Sequence, residues 1–433
     1  MKDELKHIKP LSAVKSGTGI RFLSPAVSPG CHCPMRMAAL TAKDIRGLSS
    51  LLVGMPECAT HVRLFNPKPE GKHGELHWLY VLDQHEVVFG CRDGLIDALK
   101  KMGKAGAKAI LLIVTCIPEL IGEDIEGIIR EVQPDISAPV AYVMLGQFKN
   151  FSYPPGYWKT LKAMCSLMNA KQTEPLRINV LGRRPTEDHI VMPPLLQELE
   201  RRGLSIRYLA PGAFLTDFQS APDAALNLVV SPYTQPLAVR MKEEFGVPYV
   251  ALHTLFSVEA IDRAYEEIAE RFGFTWAGEF SKEREKARSL ENEAVKRLNG
   301  LRYIVSLGVG MPLALAGYLA GFGMEPLLLH MEEFYPENKD HAKALLALGQ
   351  NPLICRMVNL NAEYPIIAEM APDLCFGRLP PENKTIPNVE NVYQLYGKIG
   401  YGLTIALLEQ TLKVLRRDGI SEKGVNAYGT ASV

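Results

Sequence analysis

The chain lacks a net charge, a long hydrophobic run and any low-complexity tract. Its 433 residues contain 48 lysines and arginines and 48 aspartates and glutamates, so the formal net charge at pH 7 is zero. A neutral chain is not expected to bind nucleic acid through a basic surface or to form an acidic disordered tail. The longest apolar stretches, 109–116 and 311–324, are shorter than the ~20 residues that cross a bilayer. We therefore expect a globular protein with more than one core.

Two further absences concern location and energy supply. The first nine residues are charged and no apolar run follows them, so we predict no signal peptide and a cytoplasmic location. The phosphate-binding pattern G-x-x-x-x-G-K-[ST] does not occur in the chain. An ATPase of the P-loop type is therefore not expected here.

Cysteine is the residue type whose distribution is uneven. A reducing cytoplasm does not support a disulfide framework, so thiols that cluster in sequence indicate metal or iron–sulfur ligation, or a nucleophile. Three of the eight cysteines are scattered and five fall within the first 116 residues: Cys165, Cys355 and Cys375, against Cys31, Cys33, Cys58, Cys91 and Cys116.

The chain is organised in three blocks that each alternate short aliphatic runs with longer amphipathic segments. This alternation predicts an α/β fold in which parallel sheets are flanked by helices. In the first block we predict strands at 86–89, 109–114 and 140–145, and helices at 95–104 and 124–132. A charged helix at 281–298 is predicted to connect the second block to the third.

Two glycine-containing turns carry weaker signals. Gly308 and Gly310 follow a predicted strand, and Glu332 lies about 20 residues further on, as in a dinucleotide site. Leu313 stands where that pattern needs a small residue, so nicotinamide binding is not favoured. At the end of another predicted strand, Arg183 and Arg184 follow a glycine. They are either an anion site or solvated surface arginines.

Cys33, Cys58 and Cys116 form the stronger pattern. Their separations of 25 and 58 residues are too long for a zinc finger, whose ligands come in close pairs. Each thiol is predicted to lie in a loop, and Cys116 directly follows a strand. Ligands from separate loops at sheet ends suit an iron–sulfur cluster; the alternative is that these cysteines are buried and inert.

The segments around these thiols resemble those of the nitrogenase component 1 family. GMPEC at 54–58 is similar to its second cluster-ligand segment, and VVFG at 87–90 is similar to its VFGG segment. TCIPELIGEDI at 115–125 is similar to the TC-x-x-E-x-IG-[DE]-D segment that carries the third ligand. The segments occur in family order, and looser similarity extends through 242–248, 374–377 and 396–402.

The resemblance implies three Rossmann-like domains and electron supply from a separate ATP-driven iron–sulfur reductase. The implied domains are a cluster-binding α/β domain at 1–170, joined by the C-terminal helical segment 385–433, a second domain at 171–298 and a third at 299–384. A partner that carries the ATPase agrees with the missing P-loop.

The resemblance also implies that Cys33, Cys58 and Cys116 hold a [4Fe–4S] cluster, or a larger cluster like the P-cluster, at a subunit interface. The fourth ligand would come from the partner subunit or from Cys31 or Cys91. The partner would be a related component 1 subunit or a second copy of this chain, in a homodimer or heterotetramer. Segment 55–64 is expected at the contact.

Two departures from the family bear on the type of subunit. The region where a nitrogenase α subunit has a cofactor-binding cysteine reads VSPY at 230–233, with Ser231 and no thiol. Lys398 lies where that subunit has its histidine ligand. A β-type or tetrapyrrole-reductase-type subunit is therefore expected rather than a nitrogen-fixing α subunit, and no iron–molybdenum-type cofactor is expected on this chain.

The sequence leaves three functions open. The first is an oxidoreductase subunit that passes electrons from the reductase to a small-molecule substrate. The second is a non-catalytic scaffold for metallocofactor assembly. The third is a nucleotide-binding enzyme with structural cysteines. No residue of the sequence identifies the substrate.

Overall fold

The structure is a computed structural model that describes residues 8–15, 33–65, 68–150, 153–184, 191–306, 309–331, 333–356, 364–379, 385–390, 395 and 398–417. Its strands are β1 (Lys9–Pro10), β2 (Ser49–Gly54), β3 (His77–Val81), β4 (Ile110–Val114), β5 (Val140–Met144), β6 (Glu174–Leu181), β7 (Ser205–Leu209), β8 (Ala224–Val229), β9 (Tyr249–Ala251), β10 (Arg302–Val305), β11 (Glu325–His330), β12 (Leu353–Cys355), β13 (Leu374–Phe376) and β14 (Asn388–Val389). Its α-helices are α1 (Pro34–Asp44), α2 (Pro56–Phe65), α3 (Gln84–Phe89), α4 (Arg92–Lys104), α5 (Cys116–Leu120), α6 (Ile125–Val132), α7 (Pro154–Ala163), α8 (Pro194–Arg201), α9 (Leu215–Ser220), α10 (Gln235–Phe245), α11 (Val258–Arg271), α12 (Ser281–Leu298), α13 (Pro312–Ala320), α14 (Asn338–Ala347), α15 (Tyr364–Met370) and α16 (Tyr401–Arg417).

The described strands form three sheets. The first has the order β3-β2-β4-β5, the second β7-β6-β8-β9 and the third β1-β12-β11-β10-β13-β14. All ladders of the first sheet are parallel, and β6 pairs in parallel with both β7 and β8. In the third sheet β1 is antiparallel to β12, and the other ladders are parallel. The predicted α/β fold with parallel sheets flanked by helices is confirmed.

The first sheet is buried on both faces, as an aliphatic strand such as β4 requires. Successive side chains of a strand point to opposite faces. Leu111 and Ile113 therefore enter one hydrophobic cluster with residues of α1 and α7, whereas Leu112 and Val114 enter another with residues of α4 and α6. These two clusters are called the α1 face and the α4 face below.

One predicted strand of the first block is wrong. Residues 86–89 belong to helix α3, and one edge strand of this sheet is β3, which the sequence analysis missed. The reason is local. Asp83 accepts a hydrogen bond from the Glu86 backbone, and the Glu86 side chain accepts one from the Asp83 backbone. This capping box starts a helix even though the valines that follow have a high β propensity. The helix ends at Gly90, whose φ is +97°.

The chain divides into two compact units. One contains the first and second sheets, and the other contains the third sheet with α11 to α16. The C-terminal helix α16, which the sequence analysis joined to the first domain, packs against α12 and contributes Leu407 and Leu408 to the core of the third sheet.

No helix in the described part of the chain is long and apolar enough to span a bilayer.

Candidate cluster-binding site

The candidate site lies at the carboxyl edge of the first sheet. Strands β2 and β4 are parallel neighbours, with Val53 opposite Val114. Cys58 follows the end of β2 by four residues and Cys116 follows the end of β4 by two. Since the carboxyl ends of parallel strands meet at one edge of a sheet, both thiols are delivered to that edge, where α/β folds commonly bind ligands.

All three thiols lie at the starts of helices. The prediction that they lie in loops is wrong for Cys58 and Cys116, whereas Cys33 is an extended residue just before α1. Cys33 is the N-cap residue of α1, Cys58 lies in the first turn of α2, and Cys116 is the first residue of α5. Pro34 and Pro56 are the first residues of α1 and α2, where the missing N–H of proline costs nothing. The thiolate is the form of cysteine that binds metal.

The electrostatics of Cys33 show that the three thiols are neighbours. All three are half-buried. Burial raises the pKa of Cys33 to about 11, against a hydrogen bond from the Met35 backbone that lowers it. The Cys116 and Cys58 thiols raise the pKa of Cys33 further, because neighbouring thiolates repel one another. The structure therefore brings together the three cysteines that the sequence singled out.

Gly54 has no side chain, and this allows Cys58 and Thr115 to approach each other. A Cβ added at Gly54 would lie 2.3 Å from Oγ1 of Thr115 and 3.2 Å from Sγ of Cys58. Thr115 is held in place because its Oγ1 donates a 2.8 Å hydrogen bond to the carbonyl of Val53. A larger residue at position 54 of the GMPEC segment would collide with Thr115, so glycine is required there.

Glu119 positions the loop that contacts Cys116. Its side chain is 5% exposed and accepts a 2.6 Å hydrogen bond from the Gly146 backbone, and its other oxygen lies 3.0 Å from Nζ of Lys149. In this loop the backbone N–H of Gln147 donates to Sγ of Cys116 at 3.2 Å. Hydrogen bonds to ligand sulfur tune the potential of iron–sulfur clusters.

Cys91 occupies a different environment. It is 1% exposed and packs in the α4 face, whereas Cys33 and Cys58 pack against the α1 face. Its backbone N–H donates a 2.6 Å hydrogen bond to Glu123. Burial and the Glu123 carboxylate raise the pKa of Cys91 to about 12. Cys31, the other candidate fourth ligand, lies outside the described residues.

Thiol labelling distinguishes these environments. In iron-free protein kept anaerobic at pH 7.5, we expect iodoacetamide to alkylate Cys58 and Cys116 at least about tenfold faster than Cys91, because alkylation needs an accessible thiolate. Peptide mass spectrometry at short labelling times measures the three rates, and Cys165, which is also buried, serves as the internal slow control. Labelling of Cys91 as fast as Cys116 would contradict the buried placement.

The donor set suits a cluster better than a single ion. Within the described residues, no three carboxylate, imidazole or thiol groups are arranged around a single metal ion. In an iron–sulfur cluster each thiolate binds a different iron atom, so the ligand sulfurs stand further apart than in a one-ion site. Three soft thiol donors from three helix starts therefore fit a cluster, with one ligand still to be supplied.

Other residues predicted from the sequence lie elsewhere. Ser231 is buried beyond the end of β8. Lys398 lies two residues before Gly400. Gly308 and Glu332 lie outside the described residues.

The sequence analysis missed a set of buried polar residues at the carboxyl ends of the third sheet. Ser306, His330 and Arg356 each end or follow a strand and are at most 5% exposed. Nη2 of Arg356 lies 3.5 Å from Glu333, and burial lowers the Arg356 pKa. A polar residue immediately after a short aliphatic run is the signal that would have found them.

The fold and the site together define a class: an α/β protein of parallel sheets with three cysteine thiols at one sheet edge. The model of the family "Nitrogenase component 1 type Oxidoreductase" matches residues 33–416. This chain therefore belongs to that family. The resemblance inferred from the thiol segments is confirmed, and members of this family bind iron–sulfur clusters.

Curated relatives are distant and are matched over part of their length. The nitrogenase iron-molybdenum cofactor biosynthesis protein NifE of Nostoc sp. is 24% identical over 279 residues, which is 61% of this chain and 57% of that protein. NifE of Methanococcus maripaludis is 23% identical over 65% of this chain and 61% of its own length. A component of the light-independent protochlorophyllide reductase of Huperzia lucidula is 23% identical over 40% of this chain and 36% of its own. The chain thus spans about three fifths of the NifE relatives.

Solved structures agree on the fold. A structure described as nitrogenase Cp1 at pH 6.5 superposes with a TM-score of 0.65, covering 94% of this chain and 96% of that chain at 17% identity. A second, of nitrogenase Cp1 at pH 5, gives a TM-score of 0.57 at the same identity. At this level of identity the likeness establishes the architecture.

Proposed function

We propose that this chain is the cluster-bearing subunit of a nitrogenase-like reductase. In this proposal Cys33, Cys58 and Cys116 hold an iron–sulfur cluster, and electrons arrive from an ATP-dependent iron–sulfur reductase and leave to a small-molecule substrate. The observation that carries the proposal is the convergence of three thiols from three helix starts at one sheet edge. The family's oxidoreductase character supports it.

When bound, the cluster would supply one-electron storage and transfer, and the residues around it have separate roles. The backbone of Met35 in the first turn of α1 donates a hydrogen bond to Cys33 that partly offsets the effect of burial on its pKa. Gly54 leaves space for Cys58, and the loop held by Glu119 directs the Gln147 N–H to the Cys116 sulfur. These contacts fix the ligand sulfurs before iron binds.

The fourth ligand and the partner subunit are proposed together. Large apolar side chains are exposed near the site: Val88, Phe89 and Leu120 are 68%, 74% and 65% exposed. Apolar side chains left exposed in this way are typical of an interface. A related component 1 subunit, or a second copy of this chain, would cover them and contact segment 55–64. The remaining ligand would come from that partner or from Cys31, since Cys91 lies in the other face of the sheet.

The subunit type follows from Ser231. With no thiol at that position, we propose a β-type or tetrapyrrole-reductase-type subunit that holds no iron–molybdenum-type cofactor by itself. Molybdenum or vanadium bound stoichiometrically to the isolated chain would refute this part of the proposal.

A scaffold for metallocofactor assembly is the second candidate, because the NifE relatives are named as cofactor biosynthesis proteins. The same thiol site would then hold a cluster precursor that is handed on. The site geometry serves both functions equally.

One experiment separates the two functions. Anaerobic protein is mixed with a component 1-type partner subunit, a nitrogenase-type iron protein, ATP and dithionite. Candidate tetrapyrrole and organosulfur substrates are supplied. We expect ATP-dependent oxidation of the reduced iron protein at repeated turnover, and loss of it in the Cys58→Ser variant. Iron transfer to an apo-acceptor with no repeated turnover would instead establish the scaffold.

A further inference from the structure

The second sheet carries a cavity that the cluster site does not use. Its volume is about 590 Å³, within the range of small-ligand pockets. It runs along the edge strand β7 and the neighbouring β6, and the loop 210–214 closes it. All described residues that line it belong to the unit of the first two sheets.

The wall of this cavity is rich in one kind of side chain. Among the described residues that line it, one carries a carboxylate, Asp217, and five are arginines: Arg46, Arg177, Arg183, Arg184 and Arg207. Asp217 is engaged, because its Oδ2 accepts a 2.9 Å hydrogen bond from the Phe214 backbone at the start of α9. Arg183 and Arg184, for which the sequence left an anion site and solvated arginines both open, thus lie in a cavity with three more arginines.

Two of these arginines hold the fold. Arg207 donates to both carboxylate oxygens of Asp223, at 2.8 and 2.9 Å, and to Asn179 and the Ser220 carbonyl. Arg184 donates from Nε to the carbonyl of Pro211. Nη2 of Arg184 also lies 3.5 Å from Asp44. Both arginines are therefore engaged by the protein and shape the cavity.

Arg46 and Arg177 have donors available. The Arg46 guanidinium lies 5.0 Å from the ring centre of Phe214, and Asp44, the carboxylate two residues before it, pairs with Arg184. Arg177 pairs through Nη2 with Glu174, while its Nε is buried and has no hydrogen-bond partner in the described structure. A buried donor without an acceptor costs free energy that an anion at this position would recover.

Glycines let the arginines approach the loop. Gly212 has a φ of +101°, and a Cβ there would lie 3.0 Å from Nε of Arg184. Arg183 follows Gly182, whose φ is +99°, and is 1% exposed although it lines the cavity. Arginine is almost never fully buried unless it is paired. Arg183, which is buried in the cavity wall, is therefore not a solvated surface arginine.

We infer that this cavity binds a small polyanion that carries phosphate or carboxylate groups, with Arg46 and Arg177 as the contacting cations. The planar guanidinium fork matches both groups. The cavity volume selects a small molecule over a polymer. The inference is independent of the proposed cluster function, and its test needs no bound iron.

Binding is measured by isothermal titration calorimetry on the full chain, with pyrophosphate in one arm and citrate in the other, at constant ionic strength. We expect saturable binding in at least one arm, which also tells whether the site takes phosphates or carboxylates. Arg46→Gln should weaken binding about tenfold, as expected for the loss of one charged hydrogen-bonding contact. Arg177→Lys, which keeps the charge and loses the fork, should weaken binding as well.

The matched control is Arg130→Gln. Arg130 is an exposed arginine of α6 that lines a separate cavity of about 820 Å³ where acidic and basic residues are mixed. Its substitution should leave the affinity unchanged. The Arg46 variant should fold, because the backbone of residue 46 forms hydrogen bonds with the Ala213 carbonyl and the Leu215 N–H. These bonds do not depend on the side chain. No saturable binding in either arm, or equal affinity in Arg46→Gln and the wild type, would overturn the inference.

Discussion

Anaerobically purified protein in which Cys33, Cys58 and Cys116 are all serine is expected to contain almost no iron. Serine keeps the size of the side chain and removes the soft thiolate that iron–sulfur clusters require. Each single substitution should lower iron per chain and weaken the visible absorption, because a cluster with one ligand fewer is labile. Iron by colorimetric assay and the absorption near 400 nm measure the effect.

Cys165→Ser is the matched control for this experiment. Cys165 packs in the same α1 face as Cys33 and Cys58, but its thiol is buried beside Glu244, with Sγ 3.5 Å from a carboxylate oxygen. Burial and the nearby carboxylate raise the pKa of Cys165 to about 12, so the thiol stays protonated. Its substitution should leave iron content unchanged. Full iron retention in the triple variant, with the control also unchanged, would remove the proposed cluster site.

Gly156→Ala is expected to damage both the stability and the metal site of the unit that contains the first sheet. Gly156 lies in the first turn of α7. A Cβ there would stand 1.8 Å from the carbonyl oxygen of Pro34, which is a backbone atom next to Cys33. Helix α1 must shift to relieve this contact. Overpacking of this kind costs about 1–3 kcal/mol, and misplacing a ligand typically weakens metal binding by about tenfold or more.

The control for this substitution is Gly317→Ala. Gly317 lies inside α13, and an added Cβ meets no atom within 4 Å. Alanine should therefore stabilise that helix, by up to about 1 kcal/mol. Thermal unfolding of the iron-free proteins gives the stability, and iron titration gives the metal affinity. If Gly156→Ala keeps the wild-type melting temperature and iron affinity, the close contact between α7 and α1 is not tight.

The TCIPELIGEDI segment shows how far local sequence can predict a site and why. The resemblance identified Cys116 and its neighbours as a unit, and the structure gives the residues of the segment physical roles. Thr115 bonds to β2, Glu119 holds the loop beside Cys116, and Glu123 accepts from the Cys91 backbone. Asp124 accepts from Gly127 at the start of α6. Most of these partners are far from the segment in sequence, so their roles were visible only in three dimensions.

The errors in prediction have one cause. At 86–89, two valines and a phenylalanine favoured a strand, but the capping box at Asp83 and Glu86 starts a helix there, and Val88 and Phe89 point to solvent. At Cys58 and Cys116, loops were predicted. Pro56 instead opens helix α2, and Cys116 is the first residue of α5. A local helix-start signal outweighed composition in both places: a capping box at 83–86, and proline at the first helical position before Cys58.

The sequence by itself determined the class of fold and the family, and it selected three thiols as candidate ligands, because hydrophobic periodicity and family-like segments are local properties of the chain. The tertiary structure alone decided which thiols are neighbours. Helices α1 and α4 pack on opposite faces of the first sheet, so Cys91 at the start of α4 lies in the α4 face, while Cys33 and Cys58 pack on the α1 face. It also gathered five arginines from separate segments around one cavity. Distances between residues far apart in sequence are fixed by strand pairing and packing, which no local pattern encodes.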